Sequence, residues 1–222
     1  MNETDIGVWS CSRISSVRCS NKMIRPFAGT TLTDVFLSKL GKLKRNIFFA
    51  GYEEVFQEKC QAHGVPFVKR SRRSAWVDEP ASEIYSFLVD QPYEYLLQVN
   101  ACIPFLRTKT IIDFLEACAS DRRPAFGVFR VKDYFVHLDG TPINFSNDLT
   151  TINTKAVSPV YEFAHVFYFF SREYFAKNGW YWDWSDVRYI EIPDGLETFD
   201  IDTEEEFFIA ETMWKEVGYS VL

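Results

Sequence analysis

The chain has 222 residues, which is enough for one domain with a substantial buried core. Its formal net charge of −7 argues against a protein that binds nucleic acid through a broad basic surface. No apolar run reaches the roughly 18 to 20 residues that cross a bilayer, the polar residues 1–5 do not resemble a secretory signal, and the five cysteines lack C-x-x-C spacing. We therefore expect a single domain over 1–222 that is cytoplasmic, with no membrane segment, disulfide framework or zinc site.

The first predicted element is a short apolar strand over residues 6–9, followed by a loop of small and basic residues. Arg13, Ser16, Arg18 and Lys22 give this loop the spacing R-x-x-S-x-R-x-x-x-K. Backbone N–H groups and three cations after a strand can neutralise the oxygens of a triphosphate. The alternative is an ordinary solvated basic loop.

The next residues alternate between helical and extended patterns. Residues 32–43 and 52–63 carry apolar side chains at helical spacing, and Gly64 follows in the position of a helix stop. Residues 46–50 and 65–68 are short apolar runs typical of buried strands. This order predicts an α/β three-layer sandwich with a mostly parallel central sheet.

A basic segment over residues 69–78 follows the third predicted strand. Ligands of open α/β sheets bind beyond the carboxyl ends of the strands, so this segment is expected at the binding edge. For Arg72 and Arg73, a solvated loop is an equally good interpretation.

The second half of the chain continues the alternation. Further helices are predicted over 80–89, 108–119 and 204–217, and further strands over 95–99, 161–170 and 187–192. Residues 125–144 hold two alternating stretches around Asp139-Gly140, a strong hairpin signal. Thr203 and Glu206 have the spacing of a capping box at the start of the last helix.

Two aspartates, Asp200 and Asp202, precede this last helix. In an extended chain, residues two apart point to the same side, so both carboxylates can face one Mg²⁺ that bridges phosphate oxygens. A solvated acidic turn would be the better interpretation if the two aspartates stood alone. Because the cationic loop is also present, we favour the metal site.

These motifs resemble the cytidylyltransferases that make CMP-linked sialic acids and CMP-linked ketodeoxyoctulosonate. The opening match comprises Arg13, Ser16, Arg18, Lys22, Pro26, Gly29 and Leu32. The closing match is Asp200-Ile201-Asp202-Thr203, and weaker matches are Arg70, just after the third strand, and Asn100, where the family has a Gln four residues before a Pro.

The resemblance implies a Rossmann-like nucleotidyltransferase fold and transfer of CMP from CTP to an acidic, sialic-acid-like sugar, with release of pyrophosphate. Mg²⁺ would be bound by Asp200 and Asp202. Arg13, Arg18 and Lys22 would hold the phosphates, with Arg13 and Lys22 as catalytic residues. Ser16 and Asn100 would contact the base or ribose, and Arg70 would support the nucleotide. A hairpin insertion over 125–160 would act as a lid or a homodimer contact.

The acceptor side of the site is less well defined by the sequence. Tyr161 and His165 are candidates to contact the sugar, although a single His among aromatic residues is more often a hydrogen-bonded core residue. Cys102 stands where one branch of the family has a metal-binding Asp, and Val17 and Met23 also depart from the family pattern. The alternatives are a non-catalytic nucleotide-binding relative and a glycosyltransferase, whose metal-binding Asp-x-Asp typically lies mid-chain.

Overall fold

A computed structural model describes residues 5–43 and 45–217, and its centre is one seven-stranded sheet. The strands are β1 Ile6–Cys11, β2 Ile47–Gly51, β3 Phe67–Lys69, β4 Tyr95–Val99, β5 Ala125–Val131, β6 Val160–Ser171 and β7 Arg188–Glu191. Their order across the sheet is β3-β2-β1-β4-β6-β5-β7. Strand β6 runs antiparallel to β4 and β5, and the other neighbouring pairs are parallel. The mostly parallel α/β sheet predicted from the sequence is confirmed.

Helices cover both faces of this sheet, because alternate strand residues point to opposite sides. The helices are α1 Leu32–Lys42, α2 Glu54–His63, α3 Arg72–Trp76, α4 Ala81–Ile84, α5 Thr108–Asp121, α6 Arg172–Asn178 and α7 Glu204–Val217. On β2, Phe49 is buried in the core on one face, and its neighbour Phe48 in the core on the other. The described helices are all too short or too polar to cross a bilayer. The three-layer sandwich is therefore also confirmed.

Two predicted helix boundaries have the capping residues expected from the sequence. Gly64 ends α2 in the left-handed conformation, with φ of 66°. At the start of α7, the Thr203 hydroxyl accepts from the Glu206 N–H at 3.2 Å, and the Glu206 carboxylate accepts from the Thr203 N–H at 2.8 Å. This reciprocal pair is the capping box expected from the sequence.

The helix predicted over 80–89 is broken in two. Helix α4 ends at Ile84, Tyr85 leaves the helical conformation with φ of −112° and ψ of 25°, and a 3-10 turn follows over Ser86–Leu88. The Ile84 carbonyl accepts from the Ser74 hydroxyl on α3 instead of from an N–H of a continuing helix. This break matters for the site because it directs Tyr85 towards the carboxyl edge of the sheet.

The segment predicted as a hairpin insertion over 125–160 is shorter in the structure. Its first seven residues form β5, which is hydrogen-bonded between β6 and β7 and so belongs to the central sheet. The excursion covers 132–159, and its turn at Asp139-Gly140 is closed by the His137 N–H donating to the Thr141 carbonyl at 2.8 Å. Its role as a lid or dimer contact stays a prediction.

Candidate functional site

A polar cleft opens at the carboxyl edge of the sheet, where β1 and β4 end and the chain approaches α7. Its lining residues are Cys11, Ser12, Arg13, Ser16, Val17, Arg18, Lys22, Met23, Asp78, Tyr85, Gln98, Asn100, Cys102, His165, Tyr168, Tyr181, Asp200 and Asp202. The opening and closing motifs lie about 180 residues apart in sequence, and the fold brings them together here. Of the ten predicted site residues, eight line this cleft.

The centre of the cleft is an ion-pair network around Asp202. The Lys22 ammonium contacts one oxygen of the Asp202 carboxylate at 3.0 Å, and the Arg18 guanidinium contacts the other at 2.8 Å. Lys22 also donates to the Ile201 carbonyl and is buried. Burial by itself would raise the pKa of Asp202, but the hydrogen bond and charge of Lys22, together with Arg18, hold it below its usual value. Asp202 is therefore a carboxylate at neutral pH.

Asp200 lies in a different environment from Asp202. One of its oxygens accepts from the Asn100 amide at 2.8 Å, and the other is buried without a hydrogen-bond partner among the described residues. Burial raises the pKa of Asp200, the Asp202 charge adds to this, and Lys22 and Asn100 oppose it. A buried carboxylate oxygen without a partner is costly, so it is a natural position for a ligand.

The two carboxylates fit a magnesium ion in their chemistry. Carboxylate oxygens suit a hard cation, and Mg²⁺ commonly binds one or two protein carboxylates together with substrate phosphates and water. Within the described parts of the chain, no three His, Cys, Asp or Glu side chains gather to hold a metal. Cys102 offers no third anionic ligand, because burial raises the pKa of its thiol to about 12 and keeps it protonated. Asp200 and Asp202 would therefore be the two protein ligands of a magnesium ion.

Asn100 lines the cleft, where its amide contacts protein groups. Its nitrogen donates to Asp200, and its oxygen accepts from the Cys102 N–H at 2.9 Å. The Ile201 N–H donates to the Cys102 carbonyl at 3.1 Å, which ties the closing motif to the end of β4. Asn100 therefore positions Asp200, whether or not it also contacts a nucleotide.

The other predicted nucleotide ligands line the wall formed by the cationic loop. Arg13 is paired with the Asp78 carboxylate and donates to the Val77 carbonyl at 3.3 Å. Ser16 is half-buried and lines the cleft. Arg70 is buried, donates to the Ser74 carbonyl and lines a recess next to Arg13. Arg70 therefore lies in a recess behind the cleft and does not line the cleft itself.

The two predicted sugar-contacting residues are separated. Phe126 pairs with Tyr168 and Val128 pairs with Phe163, so the β6 residues between form a bulge that includes His165. His165 has a left-handed φ of 52°, an uncommon conformation for this residue, and its Nδ1 lies 2.7 Å from the Tyr168 hydroxyl at the cleft.

Tyr161 lies on the part of β6 that pairs with β5 alone. Its hydroxyl donates to Glu191 on β7 at 2.9 Å, and its ring packs against Tyr189. It does not line the cleft.

Two features of the site were missed by the sequence analysis. Gln98 lies on β4, two residues before Asn100, which directly follows the strand, so both point to the same side. The Gln98 amide oxygen is buried without a hydrogen-bond partner among the described residues. An amide within a buried apolar strand was the available signal. The second feature is a pocket of Tyr and Trp rings beside the cleft, for which the run Trp180-Tyr181-Trp182-Asp183-Trp184 was the signal.

Comparison with solved structures shows which fold this is. CMP:2-keto-3-deoxy-manno-octonic acid synthetase complexed with CTP matches with a TM-score of 0.69 at 10% identity, covering 96% of this chain and 99% of that one. 4-Diphosphocytidyl-2C-methyl-D-erythritol synthase from Anaerococcus prevotii matches with a TM-score of 0.67 at 12% identity, over 96% and 100% of the two chains. A cytidylyltransferase from Leptospira borgpetersenii serovar Hardjo-bovis matches at 0.54 and 12%, over 98% and 97%.

No protein-family model and no curated protein matches the sequence. At identities of 10 to 12%, the likeness is one of fold. The predicted structural resemblance to the CMP-sugar cytidylyltransferases is confirmed at that level.

Proposed function

We propose that this chain is a cytidylyltransferase that transfers CMP from CTP to an oxygen atom of an acceptor and releases pyrophosphate. The observation that carries the proposal is the meeting of Lys22, Arg18 and the two aspartates in one cleft at the carboxyl edge of the sheet. The fold supports it, because the similar structures include a CTP complex and a cytidylyltransferase.

The proposed reaction forms one bond and breaks one bond at the α-phosphorus of CTP. The acceptor oxygen attacks this phosphorus, the bond from it to the bridging oxygen breaks, and pyrophosphate leaves with the electron pair. Lys22, Arg18 and Arg13 would then exchange their carboxylate partners for phosphate oxygens and stabilise the charge that develops there. Their present carboxylate partners keep these cations in place before the substrate binds.

The remaining roles follow from position in the cleft. Mg²⁺ held by Asp200 and Asp202 would neutralise phosphate charge when bound. Asn100 keeps the Asp200 carboxylate in place through its amide. In the tautomer whose Nδ1–H donates to the Tyr168 hydroxyl, His165 would present Nε2 to take the proton of an acceptor hydroxyl.

The base and ribose are assigned to polar side chains of the same cleft. The side chains of Gln98 on β4 and of Asn100 just after it point to the same side. Both carry amides that can pair with a cytosine edge. Ser16 lies on the opposite, cationic wall and is the candidate to contact the ribose. For the acceptor, the motifs alone suggest an acidic sugar, and a homodimer is expected from the same resemblance.

The test is pyrophosphate release from CTP with Mg²⁺ across a panel of acceptors, with ATP, GTP and UTP as nucleotide controls. CTP-dependent release that is lost in Lys22→Ala supports the proposal. A thermal shift with CTP but silence with every acceptor favours a non-catalytic nucleotide-binding relative. No shift with any nucleotide, in a protein that melts cooperatively, would overturn nucleotide transfer itself.

A further inference from the structure

An aromatic pocket adjoins the polar cleft. We define it by the rings of Tyr85, Tyr168, Trp180, Tyr181, Trp182 and Trp184. Three of these residues, Tyr85, Tyr168 and Tyr181, also line the cleft. A molecule in the pocket can therefore extend an oxygen atom into the cleft, where the proposed transfer takes place.

The inner walls of the pocket are rings held by other rings. Tyr168 stacks on Tyr181 with centroids 5.3 Å apart and on Trp182 with centroids 6.0 Å apart. Trp182 meets Trp184 edge to face at 5.8 Å. These contacts fix the orientation of the ring faces before any ligand arrives, which reduces the entropic cost of binding.

The rim of the pocket exposes large apolar rings. Trp180 is 40% exposed and Trp184 is 61% exposed. Further inside, the Trp182 indole N–H is buried and has no hydrogen-bond partner among the described residues. Exposed Trp rings around a recess with an unused donor are features of a binding site and are difficult to explain as packing alone.

The charge of the pocket is opposite to what an acidic acceptor needs. The carboxylates Asp78 and Glu79 are lining residues, as is His165, and the described lining includes neither Lys nor Arg. Arg13, a cation of the cleft wall, is paired with Asp78. Trp and Tyr faces attract cations through their quadrupole, and cages of such rings bind quaternary ammonium groups.

We infer that this aromatic pocket is the acceptor site and that its acceptor carries a methylated ammonium group, joined to a hydroxyl or phosphate oxygen that attacks CTP. The reaction in this inference depends on the proposed function, whereas the class of ligand is inferred from the pocket alone. It replaces the acidic sugar suggested by the motifs with a small molecule that is recognised by its methylated ammonium group.

The first experiment measures ligand binding without CTP, by quenching of tryptophan fluorescence. The probes are choline, its neutral isostere 3,3-dimethyl-1-butanol, and N-acetylneuraminate. We expect choline to bind about tenfold or more tightly than the isostere, a difference of about 1.4 kcal/mol, because only choline makes cation–π contacts with the rings. Equal binding of choline and the isostere, tighter binding of N-acetylneuraminate, or no saturable binding of choline would each overturn the inference.

A matched pair of substitutions locates the binding. Trp184→Leu removes an exposed ring of the pocket, and Trp76→Leu removes a similarly exposed ring on α3 outside it. We expect choline affinity to fall about tenfold in Trp184→Leu and to stay unchanged in Trp76→Leu, with both variants melting close to the wild type. Equal effects of the two substitutions would overturn the location.

The second experiment separates this inference from the proposed function. Pyrophosphate release is measured with CTP and choline or phosphocholine, and CTP binding is measured separately by thermal shift. Choline binding without any CTP binding would keep the pocket and refute the transferase. CTP binding without choline binding would keep the nucleotide site and refute the inferred acceptor.

Discussion

The polar cleft and the aromatic pocket differ in what holds their side chains in place. In the cleft, the cations are paired with carboxylates, as Lys22 and Arg18 are with Asp202. In the pocket, the rings are held by other rings, as Tyr168 is by Tyr181 and Trp182. Ion pairs can exchange one partner for another when an anion arrives, whereas stacked rings present a fixed surface. The cleft is thus suited to a charged nucleotide, and the pocket to a ligand recognised by shape and by weak cation–π attraction.

The largest effect is expected in the cleft. Lys22→Ala and Asp202→Ala should each lower turnover by about 10³-fold or more, because each removes charge stabilisation in a shielded site. The measurement is the rate of pyrophosphate release at saturating CTP, with far-UV circular dichroism to check folding.

Glu205→Gln is a matched control for Asp202→Ala. Glu205 is an exposed acidic residue in the first turn of α7, three positions from Asp202. It should retain nearly full activity. Activity close to wild type in both Lys22→Ala and Asp202→Ala would contradict the assignment of the cleft.

A smaller effect is expected from Asn100, which acts through Asp200. Asn100→Ala should weaken the apparent affinity for Mg²⁺ in turnover by about 10 to 100-fold, because residues that orient a metal ligand typically contribute this much. Excess Mg²⁺ should restore part of the activity.

Trp184→Leu sharpens the contrast between the two regions. It should raise KM for the acceptor and leave the Mg²⁺ requirement unchanged, since Trp184 lines the pocket and not the cleft. If Asn100→Ala and Trp184→Leu changed the same kinetic constant, the division into two regions would be wrong.

The sequence predicted the sheet and the cleft because their signals are local. Each strand of the parallel half is a short apolar run, and the cationic side chains lie within ten residues of one another, from Arg13 to Lys22. The two aspartates share one side of an extended segment, so their joint position follows from alternation. That Lys22 and Asp202 would meet required the resemblance to a known fold.

The aromatic pocket was not predicted as a whole, because the run Trp180-Tyr181-Trp182-Asp183-Trp184 supplies only part of its lining and the other parts come from separate segments. Tyr85 depends on the break after α4, and the place of His165 depends on a bulge in β6, which the pattern of an aromatic strand does not reveal. Tyr161 and His165 are separated for the same reason: residues four apart in a regular strand would share a side, but the bulge intervenes. Helix α6 was missed because it is only seven residues long.

The two aspartates are expected to affect stability in opposite directions. Burial raises the pKa of Asp200 above its ordinary value of 3.8, so its ionisation favours the unfolded chain, and stability falls as pH rises through the folded-state pKa. Asp200→Asn should therefore stabilise the protein at pH 7, by about 1 kcal/mol, and the gain should shrink on acidification.

Asp202 has the opposite behaviour, because its cationic neighbours lower its pKa below 3.8 despite its partial burial. Its contribution is present above pH 3.8 and is lost only as pH falls through the folded-state value. Asp202→Asn should cost up to about 1 kcal/mol at pH 7, since the pair is partly exposed. Urea unfolding of both variants at pH 7 and at pH 4.5 tests this; destabilisation by Asp200→Asn at pH 7 would contradict it.

The smallest effect is the response to salt, and it compares the two regions in one protein. Cations of the cleft such as Arg18, with a side chain 67% exposed, bind phosphate through charges that salt screens, with a Debye length of about 10 Å at 0.1 M. CTP affinity should therefore fall severalfold between about 50 and 500 mM NaCl. Binding of choline to the rings should change less than about twofold, because a cation–π contact acts within about 6 Å of the ring, a distance shorter than the Debye length at 0.1 M. The control is the same titration in tetramethylammonium chloride, because sodium competes only weakly with choline for aromatic faces. Tetramethylammonium should abolish choline binding, while CTP binding should weaken as it does in NaCl.

An equal loss of CTP and choline affinity in NaCl would mean that the pocket recognises its ligand through the charges of Asp78 and Glu79. The contrast between ion pairs and rings would then not describe how the two ligands are bound.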